Sequence, residues 1–111
     1  MQHEVHDRIS LEMGRRVALR LREQPALLQI ARDNLARWLH QNADAPPLVR
    51  CYREWETIMD RPLADLCRLL SEDTPEARRL RQNSPFAGVL SPAEVWSIKA
   101  ALRPRHAKTA A

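Results

Sequence analysis

Proline placement constrains this chain more than any other feature. Eight prolines occur in 111 residues, and Pro25, Pro47, Pro62, Pro75 and Pro92 each stand just ahead of an apolar pattern with helical period. Proline lacks a backbone N–H and fits the first turn of a helix, where that donor has no intrahelical partner. The five therefore read as helix starts, with one further helix preceding Pro25. Residue choice agrees: Leu and Ala supply 15 residues each, whereas Val, Ile and Thr together supply 12. The former are good helix formers and the latter favour strands. The expected fold class is all-α: a compact bundle of five or six short helices, one domain over residues 1–104, with residues 105–111 as a C-terminal tail.

The apolar spacing supplies the faces. Val5, Ile9, Met13, Val17 and Leu21 recur at every fourth position and predict a first helix over about 5–23. Gly14 interrupts it at a cost of about 1 kcal/mol relative to Ala, which close packing against another helix would offset. Leu28, Ala31, Leu35, Trp38 and Leu39 define a second helix from Pro25 to about Gln41. Leu48, Cys51, Tyr52, Trp55, Ile58 and Met59 define a third, and Leu63, Leu66, Cys67 and Leu70 a fourth, for which Asp60 is the expected cap. Thr74-Pro75-Glu76 starts a fifth, short helix ending near Gln82, with Ala77 and Leu80 inward and Arg78, Arg79 and Arg81 on its other face. Ser91-Pro92-Ala93-Glu94 has the form of a capping box, and Val95, Ile98 and Leu102 continue the last helix up to Pro104. Trp38 and Trp55 read as core, and Trp96 as partly exposed.

Several function classes lack the residues they need. Two glycines cannot build a phosphate-cradling loop. No apolar run approaches the roughly 20 residues of a membrane span, and the N-terminus has neither the basic nor the apolar segment of a signal peptide. A cytoplasmic protein without membrane contact is expected. His3 and His6 are the only close histidine pair and lack the further ligands of a metal site; His40 and His106 are isolated. Cys51 and Cys67 fall on apolar faces and read as reduced core thiols. Ser91 and the helix-start carboxylates have capping roles, so no nucleophile, base and orienter come together. Neither catalysis nor a cofactor is expected.

Binding remains. The net charge of +4 is unevenly spread: residues 43–73 carry 4 basic and 7 acidic side chains, residues 74–111 carry 7 and 2. Phe86, Trp96, Arg78, Arg79 and Arg81 would make a protein-binding patch with an aromatic centre and an arginine rim. Phe86, the single phenylalanine, sits in the Pro/Gly-containing segment Asn83 to Leu90, where an aromatic reads first as a core plug and the partner-facing anchor is the alternative. The alternative partner is nucleic acid, held by Arg15, Arg16, Arg78, Arg79, Arg103 and Arg105. Against it, the acidic residues are interspersed, no recognised nucleic-acid-binding motif is present, and the excess of 16 Arg over 2 Lys reads as genome composition. Self-association is left open.

The run Leu80-Arg81-Gln82-Asn83-Ser84-Pro85-Phe86-Ala87-Gly88-Val89-Leu90-Ser91-Pro92-Ala93-Glu94-Val95-Trp96 carries a resemblance. It is similar to the R-Q-x-S-P-F-A-G-V-L-x-P-x-E-x-W signature of short, all-helical bacterial proteins encoded beside nucleotidyltransferase-like partners. Tyr52-Arg53-Glu54-Trp55 and Asp60-Arg61-Pro62-Leu63 fit the same group. The resemblance implies an antitoxin-like subunit that binds and restrains its partner by steric cover, and it carries over no catalytic residues. An autorepressor acting through the arginine clusters is the other function such proteins suggest.

Overall fold

The computed structural model describes residues 2–103. Among them are six α-helices, one 3-10 turn and no strand, an all-α bundle. The helices are α1 (Gln2–Glu23), α2 (Leu28–Gln41), α3 (Pro46–Met59), α4 (Leu63–Ser71), α5 (Pro75–Arg81) and α6 (Pro92–Leu102). The tail 105–111, with Arg105 and His106, lies outside the described residues, as does the side chain of His3. No helix among the described residues is long and apolar enough to cross a membrane.

Helix α1 is the spine. It carries α4, α5 and α6 around it, while α2 packs against α3. The α1–α4 contact depends on two small residues one turn apart. A Cβ on Gly14 would run into the Leu70 carbonyl oxygen and lie 3.2 Å from Arg81 Cδ, so no side chain fits there. One turn on, the Ala18 carbonyl accepts from the Cys67 thiol at 3.6 Å. The anticipated cost of a mid-helix glycine is thus offset by backbone-to-backbone approach. The core around this seam contains Val17, Leu21, Leu35, Trp55, Leu66, Cys67, Leu70, Leu80 and Ile98.

The proline rule places the helix starts with adjustments. Pro25 opens a 3-10 turn, Pro25–Leu27, and α2 proper begins at Leu28. Pro46 rather than Pro47 takes the first position of α3, and α1 begins at Gln2, ahead of its apolar stripe. Asp60 does not cap α4. That helix follows Pro62 with no side-chain cap, and Asp60 instead ends α3 and meets Arg32 at 3.5 Å. Side-chain caps form at Thr74 and Ser91. Thr74 Oγ1 accepts from Ala77 N at 3.1 Å. The Ser91 and Glu94 side chains accept reciprocally from each other's backbone N–H at 3.1 and 3.0 Å. Of the cysteines, Cys67 is buried and Cys51 half-buried; both are unbridged. Trp38 is half-buried, with its ring 5.6 Å from that of Tyr52.

Candidate functional site

The segment between α5 and α6 is fixed from inside. The buried Asn34 of α2 donates from Nδ2 to the Pro85 and Ala87 carbonyls at 2.8 and 2.9 Å, and its Oδ1 accepts from Arg37. Gly88 adopts φ +97°, a left-handed conformation that costs glycine little and side-chain-bearing residues more. These restraints turn Phe86 inward. It is 4% exposed and meets Trp55 edge-on, centroids 5.7 Å apart at 80°. Trp55 in turn donates from Nε1 to the Leu80 carbonyl at 3.1 Å. Phe86 is therefore a core plug and not a surface anchor. The apolar ring gains more by filling the space beside Trp55 than by facing water.

The arginine rim is also redistributed. Arg81 is buried, at 7% exposed. Its Nε donates to Ser10 Oγ at 3.2 Å and its Nη1 to the Glu72 carbonyl at 2.7 Å. Burial pulls its pKa below the usual arginine value. Arg78 meets Asp73 at 3.2 Å. Arg79 makes a two-pronged pair with Glu54 of α3, at 3.0 and 2.9 Å. Hydrogen bonding to Arg79 holds the Glu54 carboxyl below its ordinary range and raises Arg79. Helices α5 and α6 both pack on α1 and make little contact with each other. The sequence-based patch of Phe86, Trp96, Arg78, Arg79 and Arg81 is thus not one surface.

Trp96 is the member that stays outside. It is 66% exposed, and the other described large apolar side chain of comparable exposure is Leu19 of α1. On α6, Ala93, Ser97, Lys99, Ala100 and Ala101 are also exposed, as is Arg103 just past its end, while Ile98 points into the core. Helical spacing sets Trp96, Lys99 and Ala100 along one stripe, and Arg103 follows the helix end in extended backbone. The helix is held to α1 by Arg20, which donates to Glu94 at 2.7 Å. Beside that pair, Glu12, Arg16, Ser97, Ala101 and Leu102 border an open depression of about 520 Å3 between α1 and α6. Arg15 and Arg16 are exposed on α1, with Arg16 paired to Glu12 at 3.1 Å.

Sequence reasoning missed Asn34, which organises the signature segment. Its signal was a polar residue among Ala31, Leu35 and Trp38 on an apolar face. It also missed the Arg79–Glu54 and Arg20–Glu94 pairs, which join residues far apart in the chain. Among the described residues no three His, Cys, Asp or Glu side chains are grouped as metal ligands. Compared with protein-family models, with curated proteins and with solved structures, the chain matches none.

Proposed function

We propose that this chain is a non-catalytic, cytoplasmic protein-binding module that docks through the solvent face of α6 and, in the manner of an antitoxin, covers a partner of nucleotidyltransferase type. The observation that carries the reading is Trp96, two-thirds exposed on a helix whose neighbouring surface residues are small or cationic. An exposed tryptophan gains most when a partner desolvates it, and aromatic and arginine residues dominate interface energies. Lys99 on the same stripe and Arg103 just past the helix end suit an acidic partner surface. The resemblance of residues 80–96 to antitoxin-like proteins points the same way. The nucleic-acid alternative draws less support, because Arg78 and Arg79 already spend their charge on Asp73 and Glu54.

The test begins with capture of a stoichiometric partner from the native cell, in high salt and after nuclease treatment. The purified partner is then titrated with the wild-type chain while its nucleotidyl transfer is followed. Activity should fall to a plateau at a fixed molar ratio. Trp96→Ala should weaken binding by at least about tenfold, the scale of an interface hot spot. Lys99→Glu with Arg103→Glu should slow association. Unchanged affinity in a folded Trp96→Ala chain refutes the docking face, and recovery of nucleic acid alone at low salt refutes the protein-binding reading.

A further inference from the structure

Helix α6 is apolar on both sides. Val95, Ile98 and Leu102 pack in or against the core, Ala93, Trp96, Ala100 and Ala101 face solvent, and its only charged residues are Glu94 and Lys99. A helix without a polar face is ordinarily buried. Beside it α1 runs antiparallel: Arg20 meets Glu94 at the start of α6, while Glu12 borders the same depression as Ala101 and Leu102 at its end. The two helices therefore share an outward-facing groove about 16 Å long, the span of the 11 residues of α6. On the α6 side it is lined by small residues at every fourth position, Ala93, Ser97 and Ala101. Leu19 and Trp96, both more than half exposed, stand on its two banks. Leu19 lies one turn beyond the groove residue Arg16, and Trp96 one turn beyond Ala93. The Arg20–Glu94 pair sets these two apolar side chains at the same end of the groove.

We propose that this groove receives one amphipathic helix of the partner, an apolar stripe flanked by acidic residues. The inference rests on the α6 docking face and names what lies on it. The apolar stripe would seat on Ala93, Ser97 and Ala101, whose size allows close approach of helix axes, between Leu19 and Trp96. The acidic flanks follow from charge. Inside the groove Arg16 is paired with Glu12 and Arg20 with Glu94, so its walls are neutral. On the banks the exposed cations are Arg15 on one side and Lys99 and Arg103 on the other, and none of the three meets a carboxylate among the described residues. Glu23 is the last residue of α1, past the Arg20–Glu94 pair that marks the groove's end. Cations on both banks attract a helix with acidic flanks and repel one with basic flanks. A nucleic-acid backbone would need free cations in the groove itself, where both arginines are paired.

The probe is a fluorescein-labelled peptide of about 14 residues, long enough to span α6 and held helical by a side-chain staple. It carries leucines at i, i+3, i+4 and i+7 spacing and glutamates on both flanks. One counterpart has lysine for glutamate, and another has the same composition permuted so that no face is apolar. Anisotropy titrations use the full chain at about 0.15 M salt. The acidic amphipathic peptide should bind saturably, one per chain, at least about tenfold tighter than either counterpart. Arg15→Glu with Lys99→Glu should reverse the preference in favour of the lysine peptide, which a structural defect cannot do. Ser97→Tyr, which fills the groove from an exposed position, should weaken the acidic peptide at least about tenfold, and Leu19→Gln about fivefold, the scale of one partly buried leucine. Circular dichroism checks that each variant is folded. The proposal is overturned if no peptide binds up to millimolar concentration, if the three bind alike, if charge reversal leaves the preference unchanged, or if Ser97→Tyr and Leu19→Gln have no effect. It is also overturned if duplex DNA of about 20 base pairs displaces the acidic peptide at equal concentration. A captured partner that is lost with Trp96→Ala but kept with Ser97→Tyr and Leu19→Gln retains α6 as the docking face and overturns the groove alone. Unchanged affinity of that partner for Trp96→Ala refutes the docking face itself.

Discussion

Truncating the two aromatics of the signature run should give opposite results, and Phe86→Ala is the sharper case. Its ring is 4% exposed and edge-on to Trp55, itself 1% exposed, so removal deletes buried area and leaves a cavity whose walls are held by other contacts. Asn34 pins the backbone on both sides through the Pro85 and Ala87 carbonyls, which limits collapse into the space. Phe→Ala in such a setting costs about 3–5 kcal/mol. The lost aromatic pair, worth about 0.5–1.5 kcal/mol, puts this site in the upper half of that range. Single domains are stable by only about 5–15 kcal/mol. A loss of this size lowers Tm by about 15–25 °C in a domain near 100 residues. Trp96→Ala exposes nothing new and should stay within about 0.5 kcal/mol of wild type. Urea unfolding followed by far-UV circular dichroism measures both. A loss below about 1 kcal/mol for Phe86→Ala would refute the core assignment. A large loss would show that any partner affinity lost in that variant reflects unfolding and not a missing contact.

Other expectations follow from the same contacts. Gly14→Ala should destabilise the fold by up to about 2 kcal/mol in denaturant titration, because an overpacking cost of about 1–3 kcal/mol against the Leu70 carbonyl outweighs the roughly 1 kcal/mol gain in helix propensity; a stabilised variant would contradict the α1–α4 approach. Cys51 should react first with a thiol reagent, while Cys67, buried and with its thiol pKa raised by that burial, should be modified only as the chain opens; equal rates would contradict its placement. Glu54 has a folded pKa below its ordinary 4.5, so its contribution to stability is present above that value and is lost as pH falls through the lower folded one. The acid limb of the stability curve should therefore be shallower in Glu54→Gln; an unchanged limb would leave the Arg79 pair without effect on folding.

The architecture was legible because it rests on local rules. Proline at a first helical turn, Ser91 three residues ahead of Glu94, and apolar stripes of helical period act within a few residues of chain, and tertiary packing did not override them. Legibility failed where local alternatives were nearly equal. Asp60 has the chemistry of a cap, yet Pro62 sets the start of α4, and Asp60 faces Arg32 across the α2–α3 packing. Pro25 begins a helical turn, but that turn remains 3-10 before α2 proper.

The site was less legible because charge is spent over long sequence distances. Three basic residues in the four positions Arg78 to Arg81 look alike on a helical wheel. Their fates diverge through partners that no local pattern could supply: Asp73 before the helix for one, Glu54 on α3 for another, Ser10 on α1 and the Glu72 carbonyl for the third. The divergence follows from Gly14. Without a side chain there, α1 comes close enough to α4 and α5 for Arg81 to lie along it, with its Cδ 3.2 Å from where a Cβ would stand. A residue type chosen for helix packing thus admits a cation to the interior. The signature segment then closes over that cation, with Asn34 holding its backbone and Phe86 its core side. Ser84, Phe86 and Gly88 of the segment are turned to the pocket it walls against α1, whereas Trp96 stays exposed on α6.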